Sequence, residues 1–296
     1  MNTKEVAEYL RIHEKQVYAL IKTGTLPGTR VTGKWLFPKH IIDRWINESA
    51  AKGLKEVREK TKGTNGALLA VGSNDPVLDI LLSYLKQIHS HLNIFSCSTG
   101  SLNGLEMLQK GQADLSWSHL LDINSGEYNL SFIKKNFANK KIEIVHLFYR
   151  ELGFIFSSQI DKSFKSFPDL LSPKVKFINR QEGSGTRLFL DHQLKKEKIS
   201  AKKIKGYNNS VYTHLEVGLA ILSGEANVGL ATVAIAKLLG LNFIPLVQES
   251  FDMVLAQETF FNKGVQDFIK TLNSTEFKNK IKSLGNYDFS QSGTIV

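Results

Sequence analysis

The sequence predicts an α/β protein preceded by a small, basic, mostly helical module, and three observations predict it. From Gly66 onward, short apolar strand patterns are each followed by a small-residue loop and a helical pattern, the syntax of repeated strand–helix units. Before that point the texture is two short helical patterns, a hairpin pattern and a third helical pattern. The charge is uneven: residues 1–62 hold 13 basic and 7 acidic side chains, against 25 and 21 in the remaining 234. That excess suits a segment that meets a polyanion.

A chain of 296 residues, 42% hydrophobic and 22% charged, is long enough for two or three domains and too apolar for global disorder. Cys97 is the single cysteine, so an intramolecular disulfide or a cysteine-cluster metal site is excluded and a reducing compartment is expected. Cys97 itself is expected to be a small buried residue. No metal site or cofactor is expected. No run of about 18 apolar residues and no apolar leader occurs, so the expectation is a cytoplasmic chain without membrane contact.

In the first module, Lys4–Leu10 and Glu14–Lys22 are helical, with Val6, Leu10, Val17, Leu20 and Ile21 apolar and Asn2 a candidate cap paired with Glu5. Residues 30–37 read as a hairpin turning at Thr32 and Gly33, and Pro38 opens a third helix with Ile41, Ile42, Trp45 and Ile46 inward. Two short helices, a hairpin and a third helix make a minimal winged helix-turn-helix. His13, Lys15, Gln16, Tyr18 and Lys22 then lie on a helix able to enter a major groove, and Arg30 and Lys34 on a wing over the DNA backbone. Trp35, Phe37 and Trp45 are expected in the core. Gly28 to Lys34 also fits half of a phosphate-binding loop, but Trp35 stands where a magnesium-binding hydroxyl is required, so nucleotide hydrolysis is rejected.

Residues 1–46 resemble the excisionase-like, MerR-related winged-helix family. The likeness is carried by E-V-A-x-Y-L in the first helix, V-Y-x-L-I-x-x-G-x-L-P in the second helix and turn, and G-K-W-x-F in the wing. This makes 1–48 a DNA-binding domain and 49–65, polar with alternating charge, a helix or linker where a homodimer could be coupled. The ligand domain is expected over 66–296.

In that second domain, Leu68–Val71, Asn93–Cys97 and Val175–Ile178 are strands that run into Ser73-Asn74, Ser98 to Ser101, and Gly183-Ser184-Gly185-Thr186. Each loop places hydroxyls and backbone N–H groups at a helix start, where unpaired donors and the helix dipole favour an anion. Arg180 and Arg187 flank the third loop, and Thr213-His214 opens a fourth helix. A lone Ser, Thr or Gly before a helix is ordinarily an N-cap; their recurrence in one α/β chain points to a binding cleft. Neutral donors suit a fully deprotonated tetrahedral dianion, whereas monohydrogen phosphate wants an acceptor for its proton, which Asp75 or Glu182 could supply.

Residues 66–256 resemble the periplasmic-binding-protein-like domain that follows a helix-turn-helix in bacterial transcription regulators, and more distantly molybdate- and tungstate-binding transport proteins. The carrying motifs are G-S-N-D-P at 72–76, S-T-G-S-L at 98–102, G-Q-A-D at 111–114, S-H-L-L-D at 118–122, N-R-Q-E-G-S-G-T-R at 179–187 and T-H-L-E-V at 213–217. The resemblance implies a two-lobed, type II clamshell, with lobe one about 66–147 and 256–296 and lobe two about 148–255. It carries over Ser73, Thr99, Ser101, Arg180, Ser184 and Thr186 as oxyanion contacts; Asn74, Gly100, Gly183, Gly185, Arg187, His119, Thr213 and His214 complete the candidate set. The expected function is a dimeric, ligand-responsive transcriptional regulator that binds operator DNA and senses a small anion, molybdate or tungstate first. The alternatives are an oxyanion carrier of molybdenum-cofactor metabolism, or a regulator of a small organic ligand. Catalysis is not expected, because G-x-S-x-G is absent and no His/Asp pair can be assigned to Ser184.

Overall fold

The computed structural model describes residues 1–31, 33–46, 49, 67–90, 92–122, 125–137, 140–158, 160 and 164–296. Thr32 of the hairpin turn and nearly all of the expected 49–65 segment lie outside the described residues. Contacts divide the chain into two units, Met1–Thr64 and Asn65–Val296.

In the first unit, α1 (Thr3–Leu10) starts at a reciprocal cap in which Asn2 Oδ1 accepts from Glu5 N at 2.9 Å and Glu5 Oε2 from Asn2 N at 2.8 Å. This satisfies two of the donors that a helix start leaves unpaired. Arg11 turns the chain in the left-handed region at φ 51° before α2 (Glu14–Lys22). The wing is β1 (Thr29–Val31) against β2 (Lys34–Leu36), antiparallel with Arg30 opposite Trp35; α3 spans 39–46. Val6, Ala7, Val17, Leu26, Phe37 and Ile42 form the core, with Trp35 and Trp45 packed on it.

The second unit is one eight-stranded sheet in the order β4-β3-β5-β10-β6-β9-β7-β8. Its strands are β3 (Leu68–Gly72), β4 (Ile94–Ser98), β5 (Leu115–Ser118), β6 (Ile142–Phe156), β7 (Phe177–Arg180), β8 (Ser210–Val211), β9 (Val228–Thr232) and β10 (Asn242–Ala256). Its helices are α4 (Pro76–Ile88), α5 (Ser101–Gln109), α6 (Leu130–Asn136), α7 (Gly185–Lys196), α8 (His214–Leu222), α9 (Val233–Leu239), α10 (Gln257–Phe260), α11 (Lys263–Leu272) and α12 (Thr275–Ile281).

β6 and β10, each 15 residues, pair antiparallel from Ile142 opposite Ala256 to Phe156 opposite Asn242. One end of this ribbon holds β5 through Leu115–Ser118, the other holds β9 through Val228–Thr232. Each half of the sheet has its own core. Trp117, Phe148, Phe251 and Phe268 mark the first lobe and Phe154, Phe177, Phe189 and Leu190 the second. The result is a mixed α/β domain of two lobes on a shared ribbon.

Two expectations are corrected here. The second lobe boundary, expected at 255/256, falls before Phe251, because Phe251, Met253 and Leu255 pack in the first lobe's core and 252–255 pair with β5. Cys97 is exposed rather than buried, because β4 is the edge strand of the sheet.

Candidate functional site

The site is built where the parallel strands end. Gly72 closes β3 at φ 126°, and a Cβ there would lie 2.2 Å from the Trp117 carbonyl, so only glycine lets β3 run this close to β5. The Gly72 carbonyl accepts from Thr99 N at 2.8 Å and Gly100 N at 2.9 Å, joining the first two loops. Ser73 Oγ lies 2.8 Å from His119 Nε2, and Ser101 Oγ accepts from His119 N at 3.3 Å. The second lobe meets this surface directly: Leu102 N donates to the Gly183 carbonyl at 3.1 Å. A Cβ on Gly185 would stand 2.6 Å from the His119 ring, and one on Gly100 would stand 3.3 Å from Gln181 Nε2. The lobes are closed on one another.

Beneath the loops lies a buried ionic network. Arg150 donates through Nε to Glu249 Oε2 at 3.0 Å and through Nη1 to Asp75 Oδ2 at 2.8 Å and the Asn74 carbonyl at 3.2 Å. Its guanidinium also lies over the Phe251 ring at 4.5 Å. Asp75 further accepts from Val77 N, as the cap of α4, and from the Tyr287 hydroxyl at 3.0 Å. Glu249 Oε1 sits 3.1 Å from His119 Nδ1. Because an ionised carboxylate can only accept, Nδ1 carries the proton and His119 Nε2 takes the Ser73 hydroxyl. Burial pushes the His119 pKa down and the ring is neutral. Burial alone would raise the Glu249 carboxyl, but His119 and Arg150 outweigh it and hold it at about 2.

Arg180 has no such partner. Its Nη2 donates to the Tyr212 carbonyl at 2.6 Å and its Nε to Gln181 Oε1 at 3.2 Å, but its buried Nη1 has no partner within the described chain. No carboxylate pairs with it among the described residues. Burial, with Arg150 adding repulsion, pushes its pKa down to about 9. Gln181 Nε2 and Thr186 Oγ1 are likewise buried without a partner. His214, whose Nε2 lies 3.5 Å from Arg150 Nη2, is held neutral by burial and then by the two arginines.

The structure therefore brings together Ser73, Gly100, Ser101, His119, Arg180, Gly183, Gly185, Thr186 and His214. Five expected contacts are engaged otherwise. Asn74 turns its amide to Asp79 at 3.3 Å, leaving only its carbonyl on Arg150. The Thr99 amide is taken by Gly72, and its hydroxyl has only a 3.5 Å contact with the Gly100 carbonyl. Ser184 and Thr213 are N-caps, accepting from Arg187 N and Glu216 N at 3.1 Å each. Arg187 pairs with Asp191 at 3.0 Å and lies 4.4 Å over the Tyr207 ring, on the flank of α7. Sequence reasoning missed Arg150, Glu249, Gln181 and Tyr287. The one available signal was a charge interrupting each of two long apolar runs.

In the first unit His13, Lys15, Gln16, Tyr18, Lys22, Arg30 and Lys34 are all exposed. Gln16 has its Oε1 on His13 N at 3.0 Å, which leaves its NH2 free to donate, and Arg30 Nε bonds the Gly33 carbonyl at 3.1 Å, stiffening the wing.

Comparison with known proteins agrees with this architecture. The profile of the PBP superfamily domain matches residues 82–273, and that of a helix-turn-helix domain residues 1–50. Protein YvgK of Bacillus subtilis (strain 168) is 26% identical over 301 residues, covering 99% of this chain and 96% of YvgK. A putative phosphate ABC transporter substrate-binding protein with bound phosphate from Clostridium perfringens superposes with a TM-score of 0.54 at 15% identity, over 74% of this chain and 98% of that one. A tungstate ABC transporter structure from Geobacter sulfurreducens gives 0.52 at 13% identity, over 74% and 97%. At these identities the solved structures establish the fold.

Proposed function

This chain belongs to the PBP superfamily and carries a helix-turn-helix domain at its amino-terminal side, and from that premise we propose that it is a transcriptional regulator whose clamshell senses a small oxyanion, molybdate or tungstate foremost. The coarse part of this reading, a ligand-responsive DNA-binding protein, is supported by the pairing of the two domains, which points to binding and regulation. The finer part rests on one observation: among the described residues, Arg180 is a buried cation with an unpartnered Nη1 and no carboxylate bonded to it. A buried charge without a counter-charge is costly, and an anion between the lobes relieves it.

The nature of the free groups narrows the anion. Arg180 Nη1 and Gln181 Nε2 can only donate, and the Thr186 hydroxyl can do so. The carboxylates of Asp75 and Glu249 are both engaged by Arg150. The buried unpartnered nitrogens, Arg180 Nη1 and Gln181 Nε2, offer the proton of monohydrogen phosphate no acceptor; that role falls to the Thr186 hydroxyl or exposed Glu182, and the donor-rich set favours molybdate or tungstate. The similar solved proteins bear names of both kinds, phosphate and tungstate.

Exposed His13, Lys15, Gln16, Tyr18 and Lys22 on α2, with Arg30 and Lys34 on the wing, supply the DNA face in this reading, in a cytoplasmic homodimer on two half-sites. Ligand acts by its differential affinity for the open and closed lobes. Thermal melting with molybdate, tungstate, sulfate and phosphate tests it. A ligand at about 100 times its dissociation constant adds about 2.7 kcal/mol, so molybdate or tungstate should raise the melting temperature by several degrees. Flat melting in all four salts removes the oxyanion.

A further inference from the structure

Helix α8 is apolar on two opposite sides. Val217, Gly218, Ala220 and Ile221 face the second lobe's core, where Val217 is 0% and Ile221 3% exposed. The opposite side carries Leu215, Leu219 and Leu222, 44%, 48% and 54% exposed, at the i, i+4, i+7 spacing of one stripe. A surface helix ordinarily has a polar outer face, and an outer face that is apolar is ordinarily covered. Neighbouring α9 packs on α8 where Gly218 meets Ile235 and Leu239. It adds exposed Leu238, and Tyr212 before α8 is exposed too. None of these side chains serves the cleft.

We infer that this leucine face is the surface through which two copies of the chain associate, α8 against α8 about a two-fold axis. One feature of the patch selects a second copy as its occupant, its area. The four leucines and Tyr212 expose on the order of 500 Å² of mostly apolar surface, so a self-contact buries about 1,000 Å² in total, the lower bound for a specific interface and above an ordinary crystal contact. The inference extends the regulator reading by saying where the two copies meet, but its test involves neither ligand nor DNA.

The test is sedimentation equilibrium of the full chain at several concentrations, with Leu219→Glu as the disruptive variant and Leu219→Gln as a milder one that adds no charge. The wild type is expected to be a dimer. Leu219→Glu should weaken association roughly 30-fold or more, as for a central interface residue, and Leu219→Gln by a smaller factor, both with wild-type circular dichroism since the side chain is outside the core. Should Leu219→Glu misfold, Leu219→Gln decides alone. A monomeric wild type, or a folded Leu219 variant that dimerises as tightly as wild type, overturns the inference. So does hydrogen exchange showing the stripe protected in a monomer, which would mean that a segment of the same chain covers it.

Discussion

Arg150 and Glu249 are register partners on the two strands that run through both lobes, Nε to Oε2 at 3.0 Å. The pair sits where the ribbon leaves the first lobe's core, and Arg150 reaches on to Asp75 at the cap of α4. The floor of the cleft is thus an ion network anchored in the strands that any lobe motion must bend.

Removing Arg150 leaves two buried carboxylates, Asp75 and Glu249, without their cation, whereas removing Glu249 leaves Arg150 paired with Asp75. Arg150→Met should cost about 3–5 kcal/mol and Glu249→Gln less. Urea unfolding of the two variants measures this, and an Arg150→Met chain within about 0.5 kcal/mol of wild type, a surface-like change, would show that the network adds nothing to stability.

Acid should act in two windows. His119 and His214 have folded pKa values below the ordinary 6.5, so the unfolded chain binds more protons as pH drops through 6.5 and stability declines there. Glu249 has a folded value of about 2 against 4.5; its contribution is complete above 4.5 and is lost as pH falls from there toward 2. Chemical unfolding at stepped pH reads both, and Glu249→Gln should flatten the lower window and deepen the upper one, because Glu249 also raises His119.

Arg180→Met removes the uncompensated cation and keeps a long apolar stem. Its stability without ligand should equal or exceed that of wild type, while the melting shift with molybdate or tungstate disappears and DNA affinity without ligand is retained. A retained shift would place the anion elsewhere.

Gly185→Ala tests closure. The new Cβ would meet the His119 ring at 2.6 Å and the His119 carbonyl at 2.8 Å, and the carbonyl cannot move aside as a side chain could. The lobes should be held apart, with anion affinity down roughly tenfold or more, about 1.4 kcal/mol. Small-angle scattering should show a larger particle in saturating ligand. Unchanged scattering and affinity would refute closure as the binding step.

On the DNA side, Lys34→Ala should weaken operator binding about equally across sequences and reduce the slope of log affinity against log salt by about 1. Gel shifts at several salt concentrations give the slope, and an unchanged slope would take Lys34 off the phosphate backbone.

The sequence makes the head and the strand-loop-helix units readable because their signals are local. The Asn2–Glu5 cap, the wing and the apolar runs before Ser73, Ser98 and Gly183 all lie within a few residues. The ribbon is not readable in this way. Arg150 and Glu249 interrupt apolar runs and look like breaks until each is seen to neutralise the other across strands. Tyr287 reaches Asp75 over 212 positions, which no local pattern marks. The loops are legible as a class, but whether a hydroxyl caps its helix, as Ser184 and Thr213 do, or stays unpaired, as Thr186 does, depends on contacts made only after folding.

The tail from Tyr287 to Val296 holds the first lobe together: Tyr287 bonds Asp75, Asp288 bridges Tyr149 and Ile295 bridges Val145. A chain cut before Tyr287 would leave the Asp75 carboxylate and the Tyr149 backbone each short of a partner, so the sheet of the first lobe would loosen beside Arg150.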